Sequence, residues 1–213
     1  FSTEGEFSRE FSSFQGSSSN KLRKHLRNTL AGRTISEARE YRSVVESFGE
    51  AVMSEDSNSQ VHEWTVQIPS TGGIHLRGVV TSVDASIDPT KEKLSSGSGS
   101  SPPFALLLTH AHSLLGGRGD MMKPLAERLA QKGHLVLRLD FRGAGGSSGW
   151  ASVRATSGEV DDVLASVAWL ETQMGVTAVH VVGYSTGAAV GATALDANDN
   201  IKGLVAIGFP FGG

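Results

Sequence analysis

The sequence predicts an α/β fold, a mostly parallel sheet with helices on both faces, and three observations carry that expectation. From Phe104 onward, strand-like and helix-like stretches alternate, which implies right-handed crossovers between parallel neighbours. The run Phe104-Ala105-Leu106-Leu107-Leu108-Thr109 is continuously apolar, as a strand buried on both faces of a parallel sheet must be. Finally, Val179-His180-Val181-Val182 leads directly into Gly183-Tyr184-Ser185-Thr186-Gly187-Ala188, a β-branched run followed by small residues, the pattern of a strand that turns sharply into a helix.

Residues 1 to about 60 are unlike the rest. They open Ser-rich with scattered Phe and Glu and continue into the basic run Lys21-Leu22-Arg23-Lys24-His25-Leu26-Arg27. Such a segment buries too little to offset its ordering entropy, so a flexible tail is expected over 1–60 and one folded domain over 61–213. Within the tail, Ile35, Ala38, Val45, Phe48 and Val52 fall roughly on one face and predict a short helix over 35–53. A basic, Ser-rich leader can be an organellar address, but Glu4, Glu6 and Glu10 sit badly with acid-poor targeting peptides, and a cytoplasmic protein is the expectation. The chain opens on Phe1 and not on Met, so its start is expected upstream.

From Val61 the elements follow one another closely. Val61 to Ile68 and Ile74 to Val80 are β-rich and partly alternating, and Pro69-Ser70-Thr71-Gly72-Gly73 joins them into a hairpin. A polar link ending in Ser95 to Pro103 reads as a surface insertion. After the buried strand Phe104 to Thr109 and a Gly-rich loop, Met122, Leu125, Ala126, Leu129 and Ala130 recur at helical spacing, and Gly133 stops that helix. Leu135 to Phe141 is the next strand. Thr156 with Glu159 three residues on forms a capping-box signature, and Val160, Val163, Leu164 and Val167 supply the helix's buried stripe. The strand into Ser185 is then followed by a helix over about Thr186 to Ala197 and a strand over Gly203 to Gly208.

Composition excludes several function classes. A net charge of −3 and a pI near 6.2 leave no basic surplus for nucleic acid or an anionic membrane surface. The absence of cysteine removes disulfides, thiolate zinc sites and a cysteine nucleophile. No apolar run approaches the roughly 18 residues that span a bilayer, so a soluble protein is expected.

Chemistry concentrates at the corner serine. In Gly183-x-Ser185-x-Gly187 the corner residue is forced into a strained conformation, and the glycines let strand and helix approach closely. The following helix points orphan N–H groups at the space beside the Ser185 hydroxyl, where negative charge would develop in acyl transfer, so Ser185 is the candidate nucleophile. The glycine-rich turn after Asp140 invites a rival reading as a dinucleotide cradle. Its spacing, Gly143-x-Gly145-x-x-x-Gly149, misses that fingerprint, and a helix starting only near Thr156 begins too late to meet a pyrophosphate. Asp140 and Arg142 are instead expected to pin the turn, and Glu159, Asp161 and Asp162 to meet the positive end of a helix dipole. His110 and His112 read as loop histidines bonded to backbone; with His75 and His180 in strand patterns, no metal cluster forms, and neither cofactor nor metal is expected.

Three signals occur in fixed order: His110-Ala111-His112-Ser113 with Gly116-Gly117, then Arg142-Gly143-Ala144-Gly145-Gly146-Ser147-Ser148-Gly149, then the serine corner. Together, over about 104–210, they resemble the α/β-hydrolase superfamily, closest to small bacterial-type hydrolases with a His-Pro-His-Pro loop, related to the serine aminopeptidase-like group. Glu159, Asp161, Asp162 and Trp169-Leu170 are similar to the family's helix after the Arg-Gly turn. Ala111 and Ser113 replace the loop prolines, and Thr186 stands where an aromatic is common. The resemblance implies an oxyanion hole made from the backbone N–H of Thr186 and a second N–H near Ala111 or His112, acting on a small-molecule acyl substrate. It also implies hydrolysis of a carboxylic ester, thioester or amide through an acyl-enzyme on Ser185.

The superfamily places Ser, then an acid, then His in chain order. Here one strand follows Ser185 and no histidine follows His180, so the chain is expected to be the N-terminal part of a hydrolase, its C-terminal strands missing and its base supplied from outside. Alone it is expected to be nearly inert. The alternative expectation is a non-catalytic binding protein on the same scaffold.

Overall fold

The structure is a computed structural model that describes residues 46, 49, 60–91, 104–113, 117–151 and 157–208. Most of the 1–60 segment, the Ser95 to Pro103 link, Gly116, the Thr156 cap and the chain after Gly208 lie outside the described residues, as does the helix expected over 35–53 apart from Glu46 and Gly49.

Among the described residues the strands and α-helices follow in this order: β1 (His62–Pro69), β2 (His75–Ser82), β3 (Phe104–Thr109), α1 (Lys123–Gln131), β4 (Leu135–Leu139), α2 (Ser157–Met174), β5 (Ala178–Tyr184), α3 (Thr186–Ala197) and β6 (Ile201–Ile207). The strands form one six-stranded sheet in the order β1-β2-β4-β3-β5-β6. β1 and β2 make the antiparallel hairpin, and β2 lies antiparallel on β4. The pairs β4/β3, β3/β5 and β5/β6 are parallel, each reached by a crossover that carries a helix or loop over a face. The mostly parallel α/β sheet therefore forms as the alternation implies, with an antiparallel hairpin on its flank.

Alternation along the strands decides what each face buries. Ala105 and Leu107 of β3, Leu137 and Leu139 of β4, and Val179 and Val181 of β5 join Val163, Val167 and Leu170 of α2 and Val190 and Ala194 of α3 in the larger core. The residues between them, Leu106, Leu108, Val136 and Val182, turn the other way against Met122, just before α1, and against Ala126, Leu129 and Ala130 of α1. One helix covers one face and two cover the other. At about 25 cal/mol per Å² of apolar surface, burial on this scale is the main favourable contribution to the fold.

Several boundaries differ from the sequence reading. β4 ends at Leu139 and not Phe141, because the Asp140 carboxylate leaves the ladder and accepts the N–H groups of Gly119 (2.6 Å) and Gly146 (3.0 Å). β6 begins at Ile201, ahead of Gly203, with Ile201 buried opposite Val179. α2 runs two turns past its Val167 stripe, and Leu170 and Met174 extend the buried face.

Candidate active site

Ser185 sits where β5 hands over to α3, at φ 53°, ψ −118°. Among the described residues it alone has positive φ without being a glycine. A serine in the N-cap position usually caps its helix, but from this backbone conformation its hydroxyl makes no cap hydrogen bond. The corner is fixed from both sides: Ser185 N–H donates to the Ile207 carbonyl of β6 (2.8 Å), and Ala188 N–H donates to the Ser185 carbonyl (3.0 Å). The glycines are required by space. A Cβ at Gly183 would lie 2.4 Å from Ala188 Cα, and one at Gly187 would lie 2.5 Å and 2.6 Å from the His110 and Thr109 carbonyl oxygens.

That second contact joins the corner to the loop after β3. The buried Thr109 hydroxyl donates to the Gly187 carbonyl at 3.1 Å. His110, fully buried, closes the loop's base: Phe141 N–H donates to its Nε2 at 3.1 Å, so Nδ1 carries the proton and donates to the Ala111 carbonyl at 2.6 Å. Burial holds this imidazole below the ordinary histidine range, outweighing the Ala111 carbonyl and the Asp140 charge that pull the other way. The loop returns through Gly117, whose N–H donates to the His112 carbonyl at 3.1 Å. Between loop and helix lies a small, partly open cleft walled by the loop from His110 to Ser113 with Phe141, Glu159, Thr186 and Val190.

The Arg-Gly turn braces the same end of the sheet. Arg142 grips the fully buried Asp162 of α2 with Nε (3.1 Å) and Nη2 (2.7 Å), and its N–H donates to Asp162 Oδ2 at 2.9 Å. The Asp162 partner raises the Arg142 guanidinium above its ordinary value in spite of desolvation. Ser70 and Thr71 of the hairpin turn donate to Asp162 (2.9 Å) and Asp161 (3.0 Å), tying β1 to α2. Asp140, 1% exposed, also takes Arg77 at 3.1 Å.

A protein-family model for the alpha/beta hydrolase fold matches residues 108–211, from the end of β3 past β6, and so spans the loop, the Arg-Gly turn and the serine corner. Over this stretch the fold is that of the α/β hydrolases. Among solved α/β-hydrolase structures it is similar to an α/β serine hydrolase without a lid from Xanthomonas campestris, at 24% identity and a TM-score of 0.54, over 70% of this chain and 62% of that one. It is similar as well to an α-β serine hydrolase homologue from Coxiella burnetii (23%, TM-score 0.51, 74% and 65%) and to an esterase from Pyrococcus furiosus (23%, TM-score 0.50, 66% and 48%). These likenesses are of fold, and the chain spans 48% to 65% of the length of those three. No curated protein matches it.

Of the residues that the superfamily resemblance singles out, Thr186, Ala111 and His112 share one cavity wall, and Ser185 adjoins it as the residue before Thr186. His110 is bonded to backbone, as its loop position suggests, and both ring nitrogens are engaged. His180 is buried inside β5 with its ring edge-on to Phe104 at 5.4 Å. Among the described residues no group of three or more His, Asp or Glu is placed to hold a metal ion, and no helix is long and apolar enough to cross a membrane. The helix-dipole account of Asp162 is corrected: it is the buried partner of Arg142, one turn too deep to act on the helix end alone. Nothing in spacing flags that pair, since its members lie 20 residues apart in different elements.

Proposed function

We propose that this α/β-hydrolase-fold chain carries the nucleophile half of a serine hydrolase acting on a carboxylic ester, thioester or amide. The observation that supports it best is the strained corner: a non-glycine residue at φ 53°, hemmed in by two glycines with no room for a Cβ. Such strain persists only where the surroundings over-determine it, and it gathers where function needs it. Ser185 Oγ, free of the helix cap, attacks the acyl carbon. The developing oxyanion is met by the Thr186 N–H at the start of α3 and by an N–H of Ala111 or His112 across the cavity. Two such donors act where charge appears only in the transition state, and removing one typically costs ~10²–10³ in rate. The bond to the alcohol, thiol or amine breaks and that group leaves with the proton taken from Ser185; water then cleaves the acyl–serine ester, freeing the acid and restoring the hydroxyl.

The reaction also needs a base that takes the Ser185 proton. His110 is disqualified, because its Nε2 accepts from Phe141 and its Nδ1 donates to Ala111. That same observation favours a second reading, a non-catalytic binding protein on the scaffold, if no histidine joins Ser185. Turnover of p-nitrophenyl acetate by the full-length protein, with Ser185→Ala as control, separates the two readings: activity lost in the variant supports the hydrolase, and equal rates in both proteins refute it.

A further inference from the structure

One buried carboxylate joins the Arg-Gly turn to the backbone beside the serine corner. Asp140, the first residue beyond β4, accepts the Gly119 N–H on Oδ1 at 2.6 Å, the short distance of a charge-assisted bond. Its Oδ2 serves the other side. There it accepts the Gly146 N–H of the turn (3.0 Å) and the Arg77 guanidinium of β2 (3.1 Å), so the buried charge is matched by a cation and two backbone donors. The backbone is shaped to admit it. A Cβ on Gly119 would lie 3.0 Å from Oδ1 and 3.0 Å from the Leu139 carbonyl oxygen, and one on Gly145 would strike the carboxylate itself.

From Gly119 the contact reaches the proposed oxyanion donors through one more residue. Gly117, buried two positions earlier, donates its N–H to the His112 carbonyl at 3.1 Å and lies so close that a Cβ there would strike the Ala111 carbonyl. The His110 ring holds that same carbonyl at 2.6 Å. In a trans peptide the C=O and N–H point in opposite directions, and no peptide among the described residues is cis, so whatever holds the Ala111 carbonyl aims the His112 N–H. The residue after Asp140 grips from the other end, because Phe141 N–H donates to His110 Nε2 at 3.1 Å. We infer that Asp140 is a positioning residue: through Gly119 and Gly117 its carboxylate fixes the peptide between Ala111 and His112, which offers the second oxyanion donor. An amide in its place has a single acceptor oxygen. Two donors compete for that oxygen on the Oδ2 side against one on the Oδ1 side, so in Asp140→Asn it stays with Arg77 and Gly146, and the NH₂ meets the Gly119 N–H.

This inference rests on the oxyanion role proposed for that peptide, and two readouts keep the claims separate. Hydrogen exchange at the Gly117 amide and the rate at which p-nitrophenyl acetate acylates Ser185 are compared in the full-length wild type, Asp140→Asn, Gly119→Ala and Ser147→Ala. The second variant strains the Gly119 bond from its other end and leaves the carboxylate in place. Ser147→Ala is the control, since it removes only the hydroxyl that bonds the Asp140 carbonyl at 2.6 Å and loosens the turn without touching Gly119. Asp140→Asn and Gly119→Ala are each expected to speed Gly117 exchange by about tenfold and to slow acylation by ~10–10² with the apparent substrate affinity unaltered, and Ser147→Ala to change neither. Unchanged Gly117 exchange in Asp140→Asn and Gly119→Ala overturns the anchor, and faster exchange with undiminished acylation overturns its link to the oxyanion. Equal slowing in Ser147→Ala overturns it as well, because general loosening of the turn then explains the loss. If Ser185→Ala hydrolyses the ester like the wild type, the nucleophile assignment fails while Gly117 exchange still decides the anchor.

Discussion

At Ser185 a side chain is held in a conformation that suits glycine better. A residue in such a sparsely populated region costs on the order of 1–3 kcal/mol, whereas glycine reaches it without strain. Ser185→Gly is therefore expected to raise stability by about 1 kcal/mol, after the extra freedom of its unfolded chain is subtracted, and to lose all serine chemistry. Urea titration of both proteins checks it, and a destabilised Gly variant would mean that the corner is unstrained. Gly187→Ala has the opposite sign. Its Cβ would meet two backbone carbonyl oxygens inside 2.7 Å (2.5 and 2.6 Å), and backbone cannot swing aside, so a loss of about 2–3 kcal/mol is expected, read in the same titration. At Arg142, truncation to Ala strands the fully buried Asp162 carboxylate and is expected to cost about 3 kcal/mol. Arg142→Lys should recover little of it, because a point ammonium cannot reproduce the two-nitrogen grip.

At the scale of elements, the loop after β3 couples to pH through His110. Its folded imidazole titrates below the ordinary 6.5, so the unfolded chain binds more protons in that interval. Stability is therefore full above about pH 6.5, falls as pH drops below it, and levels off once the folded ring is itself protonated. His134, also held low by burial and by the nearby His180, adds in the same direction. Glu63 and Asp120 act later: against the upward push of burial, their basic partners hold both below the ordinary carboxylate range, so their contribution is lost only as pH falls past about 4. An NMR titration of the His110 ring checks the first step, and a value above 6.5 would contradict it. The elements themselves were legible in the sequence wherever period and punctuation agreed: the apolar β3 run, the α1 stripe ending at Gly133 and the Gly-x-Ser-x-Gly corner all stand where the pattern puts them. What the pattern could not carry is long-range polar pairing. Arg142 with Asp162, Asp140 with Gly119 and Gly146, and Arg138, 2% exposed in β4, with Glu63 are set by tertiary contact and leave no local signature.

For the whole molecule, the described core begins with Val61 and Trp64, which pack against it, and with the buried Val66 of β1, while the Ser-rich, charged composition of 1–60 offers little to bury. A protein beginning near residue 60 is therefore expected to unfold cooperatively within about 2 °C of the full chain, followed by circular dichroism. The sheet brings three sequence-distant pieces to one end: the loop after β3, the Arg-Gly turn after β4 and the serine corner after β5. Parallel strands do this because every β-to-helix turn emerges at the same edge, where a ligand site forms in open α/β sheets. The central claim is that this convergence makes Ser185 a nucleophile. It is tested most directly by treating the full-length protein with a fluorophosphonate and locating the adduct by peptide mass spectrometry. The account predicts a single phosphonylated site at Ser185 that disappears in Ser185→Ala; an adduct on another residue, or labelling that persists in the variant, would contradict it.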